Sequence, residues 1–101
     1  MIVVHASFPI DPEYREEALA EIEDLAERSR AEDGMLDYRA TTDVEDENVV
    51  RFVERYEDGD AFAAHTQTDH FQAFEAALGD WLAGEPEILR FEVDSMTELD
   101  L

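Results

Sequence analysis

Residues 49–74, "VVRFVERYEDGDAFAAHTQTDHFQAF", are the most informative part of the sequence for predicting the fold. Its first eight residues are rich in valine and aromatic residues, which is typical of a β-strand. An acidic turn follows, and then two short segments separated by the polar triplet Thr66-Gln67-Thr68. The stretch therefore predicts a strand, a short helix, a break and a second helix. Two of the three histidines of the chain, His65 and His70, lie on either side of the break.

The segments outside this stretch complete one pattern of strands and helices. The predicted strands are residues 2–8, 35–44, 49–57 and 87–96, and the predicted helices are residues 12–33, 59–68 and 69–82. Asp11 and Thr68 are suitable N-caps for the first and last helix, and Gly34 is suited to the end of the first one. The order β-α-β-β-α-α-β predicts an α+β fold of the ferredoxin-like type. We expect residues 1–101 to form a single domain.

Apolar side chains are predicted on both faces of the sheet. In the third strand, Val50 and Phe52 share one face, whereas Val49 and Val53 share the other. The helices are enough to cover only one face. The second face therefore needs a partner, and we expect a homodimer in which two sheets face each other.

The charge of the chain is strongly negative. Aspartate and glutamate number 28 against 7 basic residues, which gives a formal net charge of −21. All the basic residues are arginines. Repulsion of this size weakens a compact state, but at ~1 M salt the Debye length falls to ~3 Å and the repulsion is screened. The composition resembles that of proteins from halophiles. It argues against nucleic acid as a partner, since no basic patch is present to bind phosphates.

Other features of the sequence indicate the cellular compartment in which the protein is expected. No run of ~20 apolar residues is present, as a membrane-spanning helix would need, so we expect no membrane partner. The first residues, "MIVVHASF", lack the basic region and long apolar stretch of a signal peptide. Cysteine is absent, which excludes disulfides and thiolate sites. We therefore expect a cytoplasmic protein.

Within residues 52–74 the motifs resemble those of the antibiotic biosynthesis monooxygenase family, and especially its quinol monooxygenase-like members. The similar features are Glu54-Arg55-Tyr56 at the end of a strand, Ala64-His65 at the end of a short helix, and His70-Phe71 after a polar break. The resemblance implies a dimeric α+β barrel with helices outside two facing sheets. It also implies that each subunit has a pocket between its own sheet and its helices.

The resemblance further implies a reaction. Family members oxidise flat phenols, quinols or anthrones with O2 and use no flavin or metal, so we expect a monooxygenase without a cofactor. Such chemistry needs a base, and a histidine with a near-neutral pKa is suitable. We expect the base to be His70, or alternatively His65, in a cavity shared with Tyr56 as hydrogen-bond partner. The expected pocket residues are Phe52, Glu54, Phe71, Phe74 and Trp81.

Alternatives to catalysis remain open at this point. Phe71, Phe74 and Leu78 have helical spacing and fit a core as well as a pocket wall. Both histidines also fit packing roles at helix ends. The same barrel hosts proteins that bind small molecules or respond to stress without turnover, and fold alone does not decide function.

Two further sites fit the sequence poorly. Relatives that degrade haem use an asparagine, a tryptophan and a histidine at the positions that here hold Ala6, His65 and Glu75. For a metal, His65 and His70 lack the i, i+4 spacing of a helical zinc motif, even with Asp69 beside them. We therefore expect no bound metal.

Two more residues are placed by strand alternation. Glu54 shares a face with Phe52 and is expected to be a buried carboxylate, with an arginine as its possible partner. His5, in the first strand, is expected on the side of the sheet that faces a partner sheet or solvent.

Overall fold

The computed structural model describes residues 1–101 and contains four strands and three α-helices. The elements are β1 (Ile2–Pro9), α1 (Arg15–Arg30), β2 (Met35–Thr42), β3 (Val49–Tyr56), α2 (Gly59–Thr66), α3 (Asp69–Trp81) and β4 (Glu87–Glu92). The strands form one antiparallel sheet in the order β2-β3-β1-β4. This arrangement confirms the predicted α+β fold of the ferredoxin-like type.

The helix ends follow local sequence signals. The Thr68 hydroxyl accepts a hydrogen bond from the backbone N–H of Phe71 at 3.2 Å, which makes it the predicted N-cap of α3. The Asp11 carboxylate accepts from the N–H of Glu13 at 2.9 Å, but it caps a 3-10 turn, Pro12–Tyr14. The first α-helix therefore begins three residues later than predicted.

Gly34 lies in the turn between α1 and β2, where the chain approaches α2 closely. Its φ of 77° is in the left-handed region, which favours glycine. A Cβ atom at this position would lie 2.8 Å from the Cβ of Ala61. Glycine is thus required here by both conformation and space, and the turn it allows carries Glu32 towards α2 and α3.

The core lies between the helices and one face of the sheet. Alternate residues of β1 and β3 are buried on this face, among them Phe8, Val50 and Phe52. Helix α1 contributes Ile22 and Leu25 to the same cluster. The remaining large members are Tyr38, Phe74 and Trp81.

The opposite face of the sheet is open. Its apolar side chains Val53, Leu89 and Phe91 are 40–44% exposed. His5 pairs with Val53 and Leu89 across the sheet, and its ring lies edge-on to Phe91 at 5.3 Å. The expectation that His5 lies on the face away from the helices is confirmed. No helix in the structure combines the length and hydropathy needed to cross a membrane.

Candidate active site: a carboxylate shared by two histidines

Glu32, His65 and His70 form a hydrogen-bonded cluster. A single oxygen, Glu32 Oε2, lies 2.8 Å from His65 Nδ1 and 2.7 Å from His70 Nε2. The side chain of His65 is 2% exposed, that of Glu32 13% and that of His70 19%. The three groups are therefore largely withdrawn from solvent. Polar interactions in the protein interior are stronger than in water.

The polar break between α2 and α3 brings the two histidines together. His65 lies in the last turn of α2 and His70 in the first turn of α3. In an unbroken helix, five residues at ~100° each would place them ~140° apart. Instead, the Thr68 hydroxyl donates to the carbonyl of His65 at 2.7 Å and caps the next helix. The chain turns at this point, and the two ring centroids are 6.2 Å apart.

The shared carboxylate fixes how the imidazoles use their nitrogens. A carboxylate oxygen accepts hydrogen bonds, so an ionised Glu32 is matched by an N–H on each ring at the contacting nitrogen. In the neutral rings this assignment leaves His65 Nε2 and His70 Nδ1 as the acceptor atoms. Burial lowers the pKa of His65, while the hydrogen bond and charge of Glu32 act in the opposite direction. The cluster therefore favours neutral His65 with a defined tautomer.

Aromatic rings surround His65. The centroid of its ring is 5.3 Å from that of Tyr38, 5.6 Å from that of Tyr56 and 5.1 Å from that of Phe71. These contacts come from two strands and one helix, so the orientation of the ring is fixed by packing. Phe71 therefore packs against the His65 ring and helps to hold it in the cluster.

A second buried carboxylate lies deeper in the sheet. Glu54, 7% exposed, accepts a hydrogen bond from the Tyr56 hydroxyl at 2.5 Å. Burial raises the pKa of Glu54 to about 7, with the Tyr56 hydrogen bond opposing the rise and the charge of Glu32 adding to it. Burial also raises the pKa of Tyr56. Glu54 is thus the expected buried carboxylate, but its partner is a tyrosine and not an arginine.

An open cleft of about 950 Å³ reaches His70. It runs between α1 and α3, and its lining includes Asp24, Leu25, Arg28, Thr68, His70 and Phe74. Asp24 and Arg28 form a 2.8 Å ion pair on its α1 side. The cleft is large enough for a small aromatic molecule.

The prediction that His70 shares a cavity with Tyr56 and Phe52 is wrong. Neither aromatic residue lines the cleft on which His70 lies, because both rings are at most 2% exposed in the core. Tyr56 reaches the cluster only through its contact with His65. Trp81 is also a core residue, and its Nε1–H donates to Glu17 Oε2 at 3.0 Å. Of the expected pocket residues, Phe74 lines the cleft, while Phe52, Glu54, Phe71 and Trp81 do not.

Two residues of the site, Glu32 and Tyr38, were not predicted from the sequence. Glu32 is one of 28 acidic residues, and it follows α1 without a motif that would distinguish it. It is separated from the histidines by 33 and 38 positions. Asp69, considered beside them, is not part of the cluster that the structure forms. The turn of the chain at Gly34 places Glu32 next to the two histidines, and this contact is visible only in the three-dimensional structure.

The fold and the cluster together define a class of protein: a ferredoxin-like α+β chain with a histidine–carboxylate site beside a cleft on the helical side of its sheet. Residues 1–77 match the model of the antibiotic biosynthesis monooxygenase family, and the chain belongs to this family.

Sequence identity to one relative and structural similarity to two solved proteins support this family membership. The chain is 37% identical over 93 residues to the Bacillus subtilis (strain 168) protein named "Putative monooxygenase YcnE", covering 92% of this chain and 98% of the relative. A conserved protein from Methanosarcina mazei Go1 has a similar crystal structure, with a TM-score of 0.84, 27% identity and 89% of each chain covered. Rv0793 from Mycobacterium tuberculosis has a TM-score of 0.89 at 22% identity, covering 96% of this chain and 98% of that one, which shows the shared fold.

Proposed function

We propose that this protein is a monooxygenase that oxidises a flat phenolic, quinol or anthrone-type molecule with O2 and without a bound cofactor. One observation carries the proposal: His70 joins the buried cluster at Nε2 and also lines the cleft. A substrate in the cleft would thus meet an imidazole whose tautomer is set by Glu32. Family membership supports the same class of reaction.

In this proposal, His70 is the general base. Its Nδ1 atom accepts the proton of a substrate hydroxyl, while its Nε2–H stays hydrogen-bonded to Glu32. The resulting anion is electron-rich enough to transfer an electron to O2. With an anthrone-type CH2 group, the substrate supplies all four electrons. One oxygen atom becomes the new carbonyl oxygen and the other leaves as water, so no outside reductant is needed.

Glu32 and His65 act as positioning residues in the proposed mechanism. The Glu32 carboxylate stabilises the imidazolium that forms when His70 takes the proton, as a buried carboxylate does for a catalytic histidine. His65 donates to the same oxygen and is held by three aromatic rings. It therefore fixes the position of Glu32 and contributes little direct contact with the cleft.

The first prediction tests this assignment by oxygen uptake with a panel of hydroquinones and anthrones. We expect His70→Ala to lower kcat by about 10²–10⁴-fold, the usual contribution of a general base. Glu32→Gln should lower kcat with a smaller change in KM. The substitution changes the tautomer of His70 and the stabilisation of its positive charge, but it does not change the cleft. His5→Ala is the matched control, since His5 lies on the opposite face of the sheet.

Two outcomes would contradict the proposed function. If folded His70→Ala protein takes up oxygen as the wild type does, His70 is not the base. If the wild type binds panel compounds in the cleft but consumes no oxygen with any of them, the alternative function holds: binding of a small aromatic molecule without turnover. The burial of Glu32 and His65 fits that alternative, because hydrogen bonds between buried polar groups also stabilise a fold.

A further inference from the structure

The hydrogen-bonded cluster also has the donor atoms of a metal site. Glu32 Oε2, His65 Nδ1 and His70 Nε2 all lie within 4.8 Å of one another. They come from three places in the chain: the turn after α1, the end of α2 and the start of α3. We propose that these three residues bind one divalent transition-metal ion of the Zn²⁺ type.

The chemistry of the donors selects the class of ion. Two imidazole nitrogens and one carboxylate oxygen suit Zn²⁺, Co²⁺ or Fe²⁺, whereas Mg²⁺ and Ca²⁺ prefer sites made of oxygen atoms. Three protein ligands leave a fourth coordination position open, as in catalytic zinc sites. The cleft reaches His70, so water or a small ligand has a route to that position.

The three donor atoms are close enough for one ion to bind them after movement of the side chains. With ligand bonds of 2.0–2.1 Å, the donor atoms of a tetrahedral site are about 3.3 Å apart. The two distances from Glu32 Oε2 are 2.8 and 2.7 Å, and all three donor atoms lie within 4.8 Å of one another, so the carboxylate and the His70 ring both have to shift for one ion to bind all three. The packed ring of His65 offers a fixed ligand, and the net charge of −21 attracts cations to the surface.

Metal binding and the proposed base role exclude each other. In the hydrogen-bonded state His70 carries its proton on Nε2, which leaves Nδ1 as the acceptor. An ion on Nε2 moves that proton to Nδ1 and removes the acceptor. A bound ion would therefore inhibit turnover; this consequence rests on the proposed function, whereas the binding site itself does not.

The second prediction is tested by titrating the full chain with Zn²⁺ in molar KCl with excess Mg²⁺, which occupies weak carboxylate sites. Calorimetry should show one Zn²⁺ per chain for the wild type and for His5→Ala, which removes the only histidine outside the cluster. His70→Ala and Glu32→Gln should each weaken binding at least tenfold, because losing a ligand costs at least as much as the loss of about 10–100-fold that follows removal of a residue that only orients a ligand. Circular dichroism confirms that each variant is folded.

The site is located directly by NMR of ¹⁵N-labelled imidazoles. Zn²⁺ should shift the His65 Nδ1 and His70 Nε2 resonances and leave those of His5 unchanged. The proposal is overturned if the wild type shows no stoichiometric binding, or if His70→Ala keeps the affinity of the wild type. If Zn²⁺ binds at the cluster but oxygen uptake continues at saturation, the metal site stands and the proposed base role fails.

Discussion

At the scale of single residues, buried carboxylates shape this protein. Glu32 is satisfied by two imidazoles, and Glu54 by the hydroxyl of Tyr56. The two differ in their partners. Glu32 meets groups that can carry a positive charge, whereas Glu54 meets only a neutral donor whose own pKa is raised by burial. Ionised Glu54 is therefore the costlier of the two for the folded state.

The third prediction follows from the raised pKa of Glu54. Its pKa is about 7 in the folded protein, against an ordinary value of 4.5, so the folded state holds this proton more tightly. The stability that the proton supplies is present below pH 4.5 and is lost as the pH rises through 7. Glu54→Gln removes this loss and should raise the free energy of unfolding above pH 7 by up to about 3 kcal/mol.

Denaturant unfolding of the variant and the wild type at pH 5 and pH 8 measures the effect. The groups facing Glu54 are Tyr56 and the charge of Glu32, and both are kept in the variant. Glu45→Gln, which removes one exposed charge in the β2–β3 loop, is the control for net charge. A stability difference of equal size at the two pH values would show that Glu54 does not titrate as described.

At the scale of elements, the sheet is covered on one face only. Strand β4 pairs with β1 but is exposed along its whole length. With Val53 of β3, its residues Leu89 and Phe91 form an apolar strip on the face away from the helices. Exposed apolar strips of this kind mark interaction surfaces. A second copy of the same sheet supplies a complementary cover, because a twofold interface pairs a patch with itself.

The fourth prediction is therefore that the chain forms a homodimer through its sheets. Sedimentation in molar KCl should show a dimer, and Leu89→Asp should shift the population towards monomer by placing a charge in the interface. Asp substituted for Ala63, an exposed residue of α2, is the control for added charge. A wild type that sediments only as a monomer would contradict the prediction.

At the scale of the whole molecule, the large negative charge is the main electrostatic feature. The chain carries a net charge of −21, and only five of its seven arginines form ion pairs with acidic neighbours, such as Arg51 with Asp43 at 2.7 Å. Pairs of this exposed kind contribute little to stability. Most of the negative charge is therefore balanced only by ions from the solvent.

The fifth prediction is that folding depends on salt, as the resemblance to halophile proteins suggests. Raising KCl from dilute buffer to about 1 M screens the repulsion and should raise the thermal midpoint by at least about 5 °C, which corresponds to about 1 kcal/mol for a domain of this size. Scanning calorimetry at several KCl concentrations measures it, with sucrose as an uncharged control. A midpoint that does not change with KCl would refute the prediction.

Much of the fold could be predicted from local patterns. The valine and aromatic residues of positions 49–56 predicted β3, and Thr68 predicted the start of α3, because both signals act over a few residues. The site was predictable only in part. Its two histidines were found because they flank a break, but their surroundings were assigned wrongly, with Tyr56 and Phe52 in place of the α1–α3 cleft.

Local sequence patterns were therefore sufficient to predict the strands, the helices, their order and the region that holds His65 and His70. The three-dimensional packing was needed to show that Glu32 is the carboxylate they share, that His65 is buried, and that His70 lies at the cleft. This difference arises from the distance along the chain over which each kind of interaction acts. Backbone preferences and side-chain periodicity depend on near neighbours, whereas a contact across 38 positions depends on how the whole chain packs.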